Sequence, residues 1–206
     1  GLLPGHFIWG HPVKTDITRA DILSLERYEA VRADKRADVR AARKNRRVEV
    51  GPFANFVFEN YDSLWLQIHE MLRIEKGGDP QIADELAAYN PMVPKGRDLA
   101  ATLMFEIADP DRRDTALGKL GGIEAMITLS FGEHTITGEP DDDIERTRQD
   151  GKTSAVHFLH FRFTDEQAAA FKTPDTEITL AFGHSGYRHA SVLGENVRNA
   201  LAGDFA

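Results

Sequence analysis

The order of strands and helices that the sequence predicts between residues 99 and 184 constrains the fold more than any other feature of this 206-residue chain. Apolar side chains recur at every second position over 99–107, which predicts a strand with one buried face. Asp109-Pro110 then favours a helix start, because proline fits the first helical position. The series continues with strands at 126–137, 154–163 and 176–184 and a short helix after Thr164. We therefore predict an α+β fold with a mostly antiparallel sheet and ferredoxin-like βαββαβ order in residues 99–184.

Three helices and a strand are predicted before this unit. Strong helix formers fill residues 18–47, with apolar side chains at helical spacing, so we expect one long N-terminal helix there. Residues 48–59 combine β-branched and aromatic side chains, which favours a strand. A helical pair is expected at 62–75 and 79–89, because Gly77-Gly78 interrupts an otherwise helical stretch.

Composition narrows the class of protein. Apolar residues make up 41% and charged residues 28% of the chain, which is typical of a folded globular protein. The chain has no cysteine, which excludes disulfides, thiolate metal sites and a cysteine nucleophile. The net charge of −8 argues against nucleic acid as the main partner, since duplex binding depends on neutralising phosphates. No apolar run reaches the roughly 20 residues of a membrane span, so we expect a cytoplasmic protein with no membrane partner.

Residues 1–14 are predicted to form an N-terminal arm, and residues 15–206 a single α+β domain. The arm carries Phe7, Ile8 and Trp9 among prolines and glycines. A terminus of this kind is ordered only when a surface holds it. We therefore expect the arm to lie on the body of the chain or on a second copy in a homo-oligomer.

Four cations crowd the end of the first predicted helix, at Arg43, Lys44, Arg46 and Arg47. One interpretation is a nucleic-acid patch. The other is a solvated helix C-terminus, where cations complement the macrodipole. Acidic residues are interspersed along the same helix and the chain is acidic as a whole, which favours the second interpretation.

The common catalytic signatures are absent. The chain has no G-x-x-x-x-G-K-[ST], no G-x-G-x-x-G after a strand, no H-E-x-x-H and no G-x-S-x-G. His69-Glu70 matches the start of the H-E-x-x-H motif, but Arg73 stands where the second histidine is needed. The sequence therefore argues against the common phosphate-cradling and hydrolase mechanisms.

Six strings taken together resemble one bacterial family. They are Leu23-Ser24-Leu25-Glu26-Arg27-Tyr28-Glu29, Glu59-Asn60, Gln67-Ile68-His69-Glu70-Met71-Leu72-Arg73, Ala88-Tyr89-Asn90-Pro91, Thr153-Ser154-Ala155-Val156-His157-Phe158 and Tyr187-Arg188-His189. Over about residues 16–200 the chain is similar to the domain of unknown function numbered 3501. The resemblance implies a bacterial protein with no established activity. The genes that accompany the family, for rubrerythrin-like and iron–sulfur proteins, imply a link to redox metabolism.

Strand parity separates two histidines of the strand at 154–163. His157 shares a face with Leu159 and Phe161, so it is expected in the core or on the floor of a pocket. His160 points the other way and is expected to face solvent. The segment 184–189 follows the last strand, where it forms either a functional loop or a polar turn that seals the sheet edge.

A pocket lined by histidine, glutamate, arginine and tyrosine is the functional site that we predict. The catalytic residues would be His157, His189 and Glu70; the substrate-binding residues Arg73, Tyr187, Arg188, Tyr89 and Asn90; and the metal ligands His157, His189 and Glu106. A histidine would act as a ligand or general base, and Arg73 would hold an anionic group. Without thiols, zinc, iron and manganese all remain open as cofactors. The alternative for Glu70 and Arg73 is a local ion pair within one helix.

Two functions from different classes remain open. The first is a small-molecule- or metal-binding protein linked to redox metabolism, for which enzymatic activity is undecided. The second is a non-catalytic accessory subunit that docks on a redox partner protein through its first helix and its apolar arm.

Overall fold

The computed structural model describes residues 12–141 and 149–206. The described residues form the helices Leu25–Arg43 (α1), Tyr61–Glu75 (α2), Gly78–Tyr89 (α3), Pro110–Leu117 (α4), Asp165–Lys172 (α5) and Glu195–Ala202 (α6). Their strands are Arg47–Val50 (β1), Ala54–Glu59 (β2), Asp98–Phe105 (β3), Ile127–Phe131 (β4), His134–Thr137 (β5), Glu139–Pro140 (β6), Val156–Arg162 (β7), Ile178–Phe182 (β8) and Ala190–Val192 (β9). Most of the predicted arm lies outside the described residues.

The strands form two antiparallel sheets that pack face to face. The larger sheet has the order β1-β2-β3-β7-β6, and the smaller sheet has the order β5-β4-β8-β9. Their inner faces share one hydrophobic core. Aromatic rings pack between the sheets: the ring centroid of Phe182 in the smaller sheet lies 5.5 Å from that of Phe56 and 6.1 Å from that of Phe105 in the larger one. This β-sandwich is the first of two packed regions.

A helical layer covers the outer face of the larger sheet. Leu64 and Ile68 of α2 pack with Ala100 of β3 and with Met92 and Val93 in a second hydrophobic cluster. Helices α1 and α3 flank α2. Strand β3 is therefore buried on both faces, whereas β4 and β8 alternate between buried and half-buried positions.

A buried ion pair joins the end of α1 to the C-terminal segment. Arg46 Nη2 contacts a carboxylate oxygen of Asp204, and Arg46 Nε donates to the carbonyl oxygen of Phe58 at 2.8 Å. Both side chains are largely buried. Burial raises the pKa of Asp204, although the charge of Arg46 opposes this rise. Arg46 is thus an internal residue, so it does not belong to a surface patch of cations.

The α+β class with antiparallel sheets is confirmed, but the ferredoxin-like order is not. The four strands predicted for that unit divide between the sheets: β3 pairs with β7, and β4 pairs with β8. Strand β3 is buried on both faces, which suits the centre of a covered sheet. Strand β7 alternates in burial as β4 and β8 do, yet it lies in the larger sheet. Periodicity alone does not say which strands pair.

The long first helix is shorter than predicted, and the helical pair lies as predicted. A 3-10 turn at Arg19–Asp21 comes first, and α1 has 19 residues. Ser24 caps α1, with its side chain accepting from the N–H of Arg27. The N–H of Leu23 donates to His69 Nε2 at 3.0 Å, so a tertiary hydrogen bond holds this residue outside the helix.

None of the helices in 12–141 and 149–206 has both the length and the apolar composition that a membrane crossing needs.

Candidate functional site

Glu70 and Arg73 face α1 and do not pair with each other. Glu70 accepts from Arg32 Nε at 2.7 Å and Nη2 at 3.0 Å, and Tyr28 Oη donates to it at 2.6 Å. The hydrogen bond from Arg32 lowers the pKa of Glu70 to about 2. Arg73 Nε donates to Glu29 at 2.5 Å. Two ion pairs between α1 and α2 therefore replace the local pair that was the alternative for these residues.

His157 and Tyr187 lie in the β-sandwich. His157 is fully buried, with Nε2 2.8 Å from the carbonyl oxygen of Ser154. Tyr187 Oη donates to the carbonyl oxygen of Val50 at 2.7 Å and accepts the N–H groups of Phe53 and Ala54, each at 3.2 Å. The phenol thus satisfies three backbone groups of the β1–β2 turn.

Gly51 lets this turn approach the segment after β8. Its φ is +71°, and a Cβ atom there would lie 2.6 Å from the ring of His189 and 2.5 Å from the hydroxyl of Tyr187. The exposed ring of His189 itself packs on Tyr187, with centroids 4.4 Å apart. Arg188 is exposed.

The other predicted residues lie elsewhere. The side chain of Asn90 bonds both backbone groups of Ile17, at 2.9 and 2.8 Å, and so holds the segment before α1. Tyr89 Oη lies 3.5 Å from Gln67 Nε2. Glu106 is half exposed and accepts from Asn55 at 2.5 Å and from Arg47 at 3.3 Å.

The structure does not bring the predicted pocket together. The larger sheet separates Glu70 and Arg73, in the helical layer, from His157 and Tyr187, which face the sandwich core. Within the described ranges, no three His, Asp or Glu side chains lie close enough to hold a metal ion. The set His157, His189 and Glu106 is therefore not assembled as a metal centre.

A cleft of about 550 Å³ opens instead in the helical layer, between α1, α2 and α3. We call it the helical cleft. Its apolar and aromatic lining consists of Leu23, Leu25, Tyr28, His69, Leu72 and Ile82. Both of the longest strings that resemble the family, 23–29 and 67–73, contribute to this lining. Of the predicted site residues, Arg73 lies on the wall of the cleft, and Glu70 lies behind it through its bond to Tyr28.

A cluster of tilted aromatic rings supports the floor of the helical cleft. The ring of His69 lies 3.9 Å from that of Trp65 and 4.7 Å from that of Tyr28, between centroids. His69 Nε2 accepts from Leu23 N–H, so Nδ1 carries the proton and donates to the carbonyl oxygen of Trp65 at 2.8 Å. Burial lowers the pKa of His69, and the imidazole is neutral at physiological pH. Both of its nitrogens are occupied, which makes it a structural part of the floor.

Charged side chains surround the helical cleft. Arg19, Arg73, Lys76 and Asp79 all line it. Arg19 pairs with Asp79 at 2.9 Å, and Arg73 pairs with Glu29. Lys76 makes no ion pair within the described part of the chain. The cleft therefore combines an apolar wall with a few charged side chains, a composition that is typical of small-molecule sites in proteins.

A second cavity, of about 320 Å³, lies between α1 and the start of α2. Three of the cations along its wall already contact other side chains of the protein. Lys14 lies over the ring of Tyr61 at 4.9 Å, Lys35 lies over Trp65 at 5.9 Å, and Arg46 is bound to Asp204. Cations and carboxylates are nearly balanced along its wall. It is a weaker candidate than the helical cleft for these two reasons.

His160 is less exposed than its strand parity predicts. Its side chain is 13% exposed, and Nδ1 donates to Asp98 Oδ2 at 3.3 Å. Burial by itself raises the pKa of Asp98, but the hydrogen bonds from His160 and from the N–H of Lys95 bring it below the ordinary value. The sequence carries a signal for this pair, because Asp98 begins a strand and an acidic residue rarely enters a buried strand without a partner.

Fold and cleft together define a class: an α+β protein in which a helical layer on a two-sheet sandwich carries a cleft. The model of a protein family of unknown function, DUF3501, matches residues 16–205, and the chain belongs to this family. The resemblance found in the sequence is thereby confirmed.

One similar solved structure is a novel protein of unknown function from Burkholderia pseudomallei K96243. It is 38% identical to this chain, with a TM-score of 0.84, and the match covers 92% of this chain and 99% of that chain. A comparison with curated proteins found no match.

Proposed function

We propose that this protein binds a small molecule with an apolar body in the helical cleft. One observation carries the proposal: a cleft of about 550 Å³ in which six apolar or aromatic side chains line the wall. Ligand sites in proteins are typically concave, mostly apolar and about 300–1,000 Å³ in volume. Burial of an apolar ligand surface there would supply the binding free energy, at about 25 cal/mol for each Å².

The position of the helical cleft between three helices supports the proposal. The mostly buried pair of Arg32 with Glu70 joins α1 to α2, and the more exposed pairs Arg73–Glu29 and Arg19–Asp79 lie at the opening. The floor is fixed by Trp65 Nε1, which donates to the carbonyl oxygen of Asp21 at 2.9 Å, and by the hydrogen bonds of His69. A preformed site of this kind costs little ordering on binding.

Several finer predictions stay open beside this proposal. A transition metal, a link to redox metabolism, a catalytic step and a bacterial cytoplasmic location remain predictions from the sequence and the family resemblance. The same holds for the accessory subunit with a redox partner and for a homo-oligomer formed through the arm.

A fluorescence titration with N-phenylnaphthylamine, a neutral apolar probe that brightens in apolar sites, tests the proposal. We expect saturable binding to the wild-type protein. Ile82→Trp should weaken it by about tenfold or more, equivalent to about 1.4 kcal/mol, because a larger side chain fills the cleft. Ile74→Trp is the matched control, since Ile74 is 68% exposed and does not line the cleft.

Equal binding by Ile82→Trp and wild type would place the probe elsewhere and remove the support for the cleft. Absence of binding to the wild type would have the same consequence. Melting temperatures of both variants establish that each is folded.

A further inference from the structure

We infer that the natural ligand of the helical cleft is an anionic amphiphile, in which a carboxylate or similar head group is held by Lys76 and Arg73 and an apolar body lies against the wall. This inference deepens the proposed function and rests on it. It names the chemical class of ligand and the two side chains that select it.

The charge around the helical cleft differs from that of the whole chain. The chain carries 33 acidic against 25 basic side chains, for a net charge of −8. The lining of the cleft has three cations, Arg19, Arg73 and Lys76, against one carboxylate, Asp79. Arg19 is paired with Asp79 and Arg73 with Glu29, so the excess positive charge comes from Lys76. An acidic protein that gathers cations around an apolar cleft has a local field that attracts anions and repels cations.

Arg73 has donors left for a ligand. Its guanidinium uses Nε for the bond to Glu29, and its two Nη groups make no hydrogen bond to the protein within 12–141 and 149–206. A guanidinium presents five N–H donors in a planar fork that suits a carboxylate. The pair with Glu29 is partly exposed, with 37% and 45% of the side chains accessible. It therefore positions Arg73 without removing it from solvent.

Lys76 occupies a backbone position that glycine would fill more easily. It is the C-cap of α2, with φ +53° and ψ +37°, in the left-handed region. Helices that end in this way usually place glycine there, because a Cβ atom makes the conformation unfavourable. Two glycines follow immediately, at Gly77 and Gly78. A lysine at this point puts a positive charge on the rim of the cleft at the expense of backbone energy.

A second explanation for Lys76 is the helix macrodipole, because a cation at a helix C-terminus is stabilising. The two explanations predict different results for Lys76→Gly. Loss of a dipole partner affects stability alone, whereas loss of a ligand contact affects the binding of anions. Glycine relieves the left-handed backbone, so the variant should fold.

The test compares two probes with the same arylamine skeleton. Anilinonaphthalene sulfonate is anionic, and N-phenylnaphthylamine is neutral. We expect Lys76→Gly to weaken the anionic probe by about tenfold and to change the neutral probe by less than about twofold. Arg73→Gln also removes the ion pair with Glu29, so it should weaken both probes, the anionic one by about tenfold more than the neutral one. Decanoate should displace the anionic probe more effectively than decanol. Lys44→Gln is the matched control, because it removes one exposed lysine from the end of a different helix.

Each outcome of this test either supports or overturns the inference. A greater loss of the anionic than of the neutral probe in both variants, with Lys44→Gln unchanged, supports the inference. Equal affinity of the variants and wild type for the anionic probe, or equal displacement by decanol and decanoate, overturns the inference and leaves apolar binding in the cleft intact. If neither probe binds the wild type, or if Ile82→Trp changes neither, the proposed function fails as well.

Discussion

The β-sandwich and the helical layer differ in how far their polar side chains remain accessible from outside. In the sandwich, the hydroxyl of Tyr187 is enclosed and bonds only backbone groups of one turn. In the helical layer, polar side chains join one helix to another, as Glu70 does with Arg32 and Tyr28, and others line an opening, as Arg73 does. A polar group that is sealed within a core stabilises the fold, whereas one beside a cleft remains accessible to a ligand. This difference in accessibility is the reason for proposing a ligand site in the helical layer and not in the sandwich.

The largest effect is expected for the buried ion pair at the junction of the two regions. Arg46→Met leaves the carboxylate of Asp204 buried without its partner and should lower the free energy of unfolding by about 3–5 kcal/mol at neutral pH. Denaturant unfolding measures the loss. Burial raises the pKa of Asp204, so the loss should shrink as the pH falls and the carboxyl takes up a proton.

The double variant Arg46→Met/Asp204→Leu is the control for this prediction. It should recover part of the lost stability, because no buried charge remains unpaired. If the free energy of unfolding of Arg46→Met lies within about 1 kcal/mol of the wild-type value, water reaches the ion pair. The pair would then not count as enclosed by the protein.

An intermediate effect is expected in the sandwich. Tyr187→Phe keeps the ring but removes the hydroxyl, and it leaves the carbonyl of Val50 and two N–H groups of the turn without their partner. The free energy of unfolding should fall by about 1–3 kcal/mol, with no change in probe binding to the helical cleft. A change in probe affinity without a loss of stability would reverse the roles assigned to the two regions.

The smallest effect is expected in the helical layer and depends on pH. The pKa of Glu70 falls from 4.5 to about 2 on folding. A lowered carboxyl pKa stabilises the fold above the unfolded pKa, and this contribution is lost as the pH falls through the folded pKa. Glu70→Gln should therefore cost about 1 kcal/mol near neutral pH, and the difference from wild type should vanish between about pH 4.5 and about pH 2. A difference that stays constant over this range would contradict the ionic role of Glu70.

The helices and strands could be predicted from the sequence more fully than the tertiary contacts around them. The start of α4 at Asp109-Pro110 and the helical pair follow from local chemistry and lie close to the predicted positions. The single strands predicted at 48–59 and 126–137 are instead two antiparallel strands each, β1 with β2 and β4 with β5. The short strands β6 and β9 were not predicted, because two or three residues carry no periodicity. The ferredoxin-like order failed because one buried face describes a strand in either of two sheets.

The candidate site was predictable only in part. Arg73 was assigned to an anionic group, and it lines the helical cleft. His157, Tyr187 and His189 carry side chains suited to chemistry, yet two of them are enclosed by the sandwich and the third packs on Tyr187. Lys76 gave no signal, since its meaning depends on a left-handed backbone angle and on the helices around it.

The sequence by itself determined the α+β class, the family and the identity of most elements, because these depend on local periodicity, caps and turns. Only the tertiary structure decided that Glu70 pairs with Arg32 and not with Arg73, that His157 faces a closed core, and that a cleft opens between α1, α2 and α3. The physical reason is that pairing and enclosure are long-range properties: they depend on which faces of distant segments meet, and local patterns do not record this.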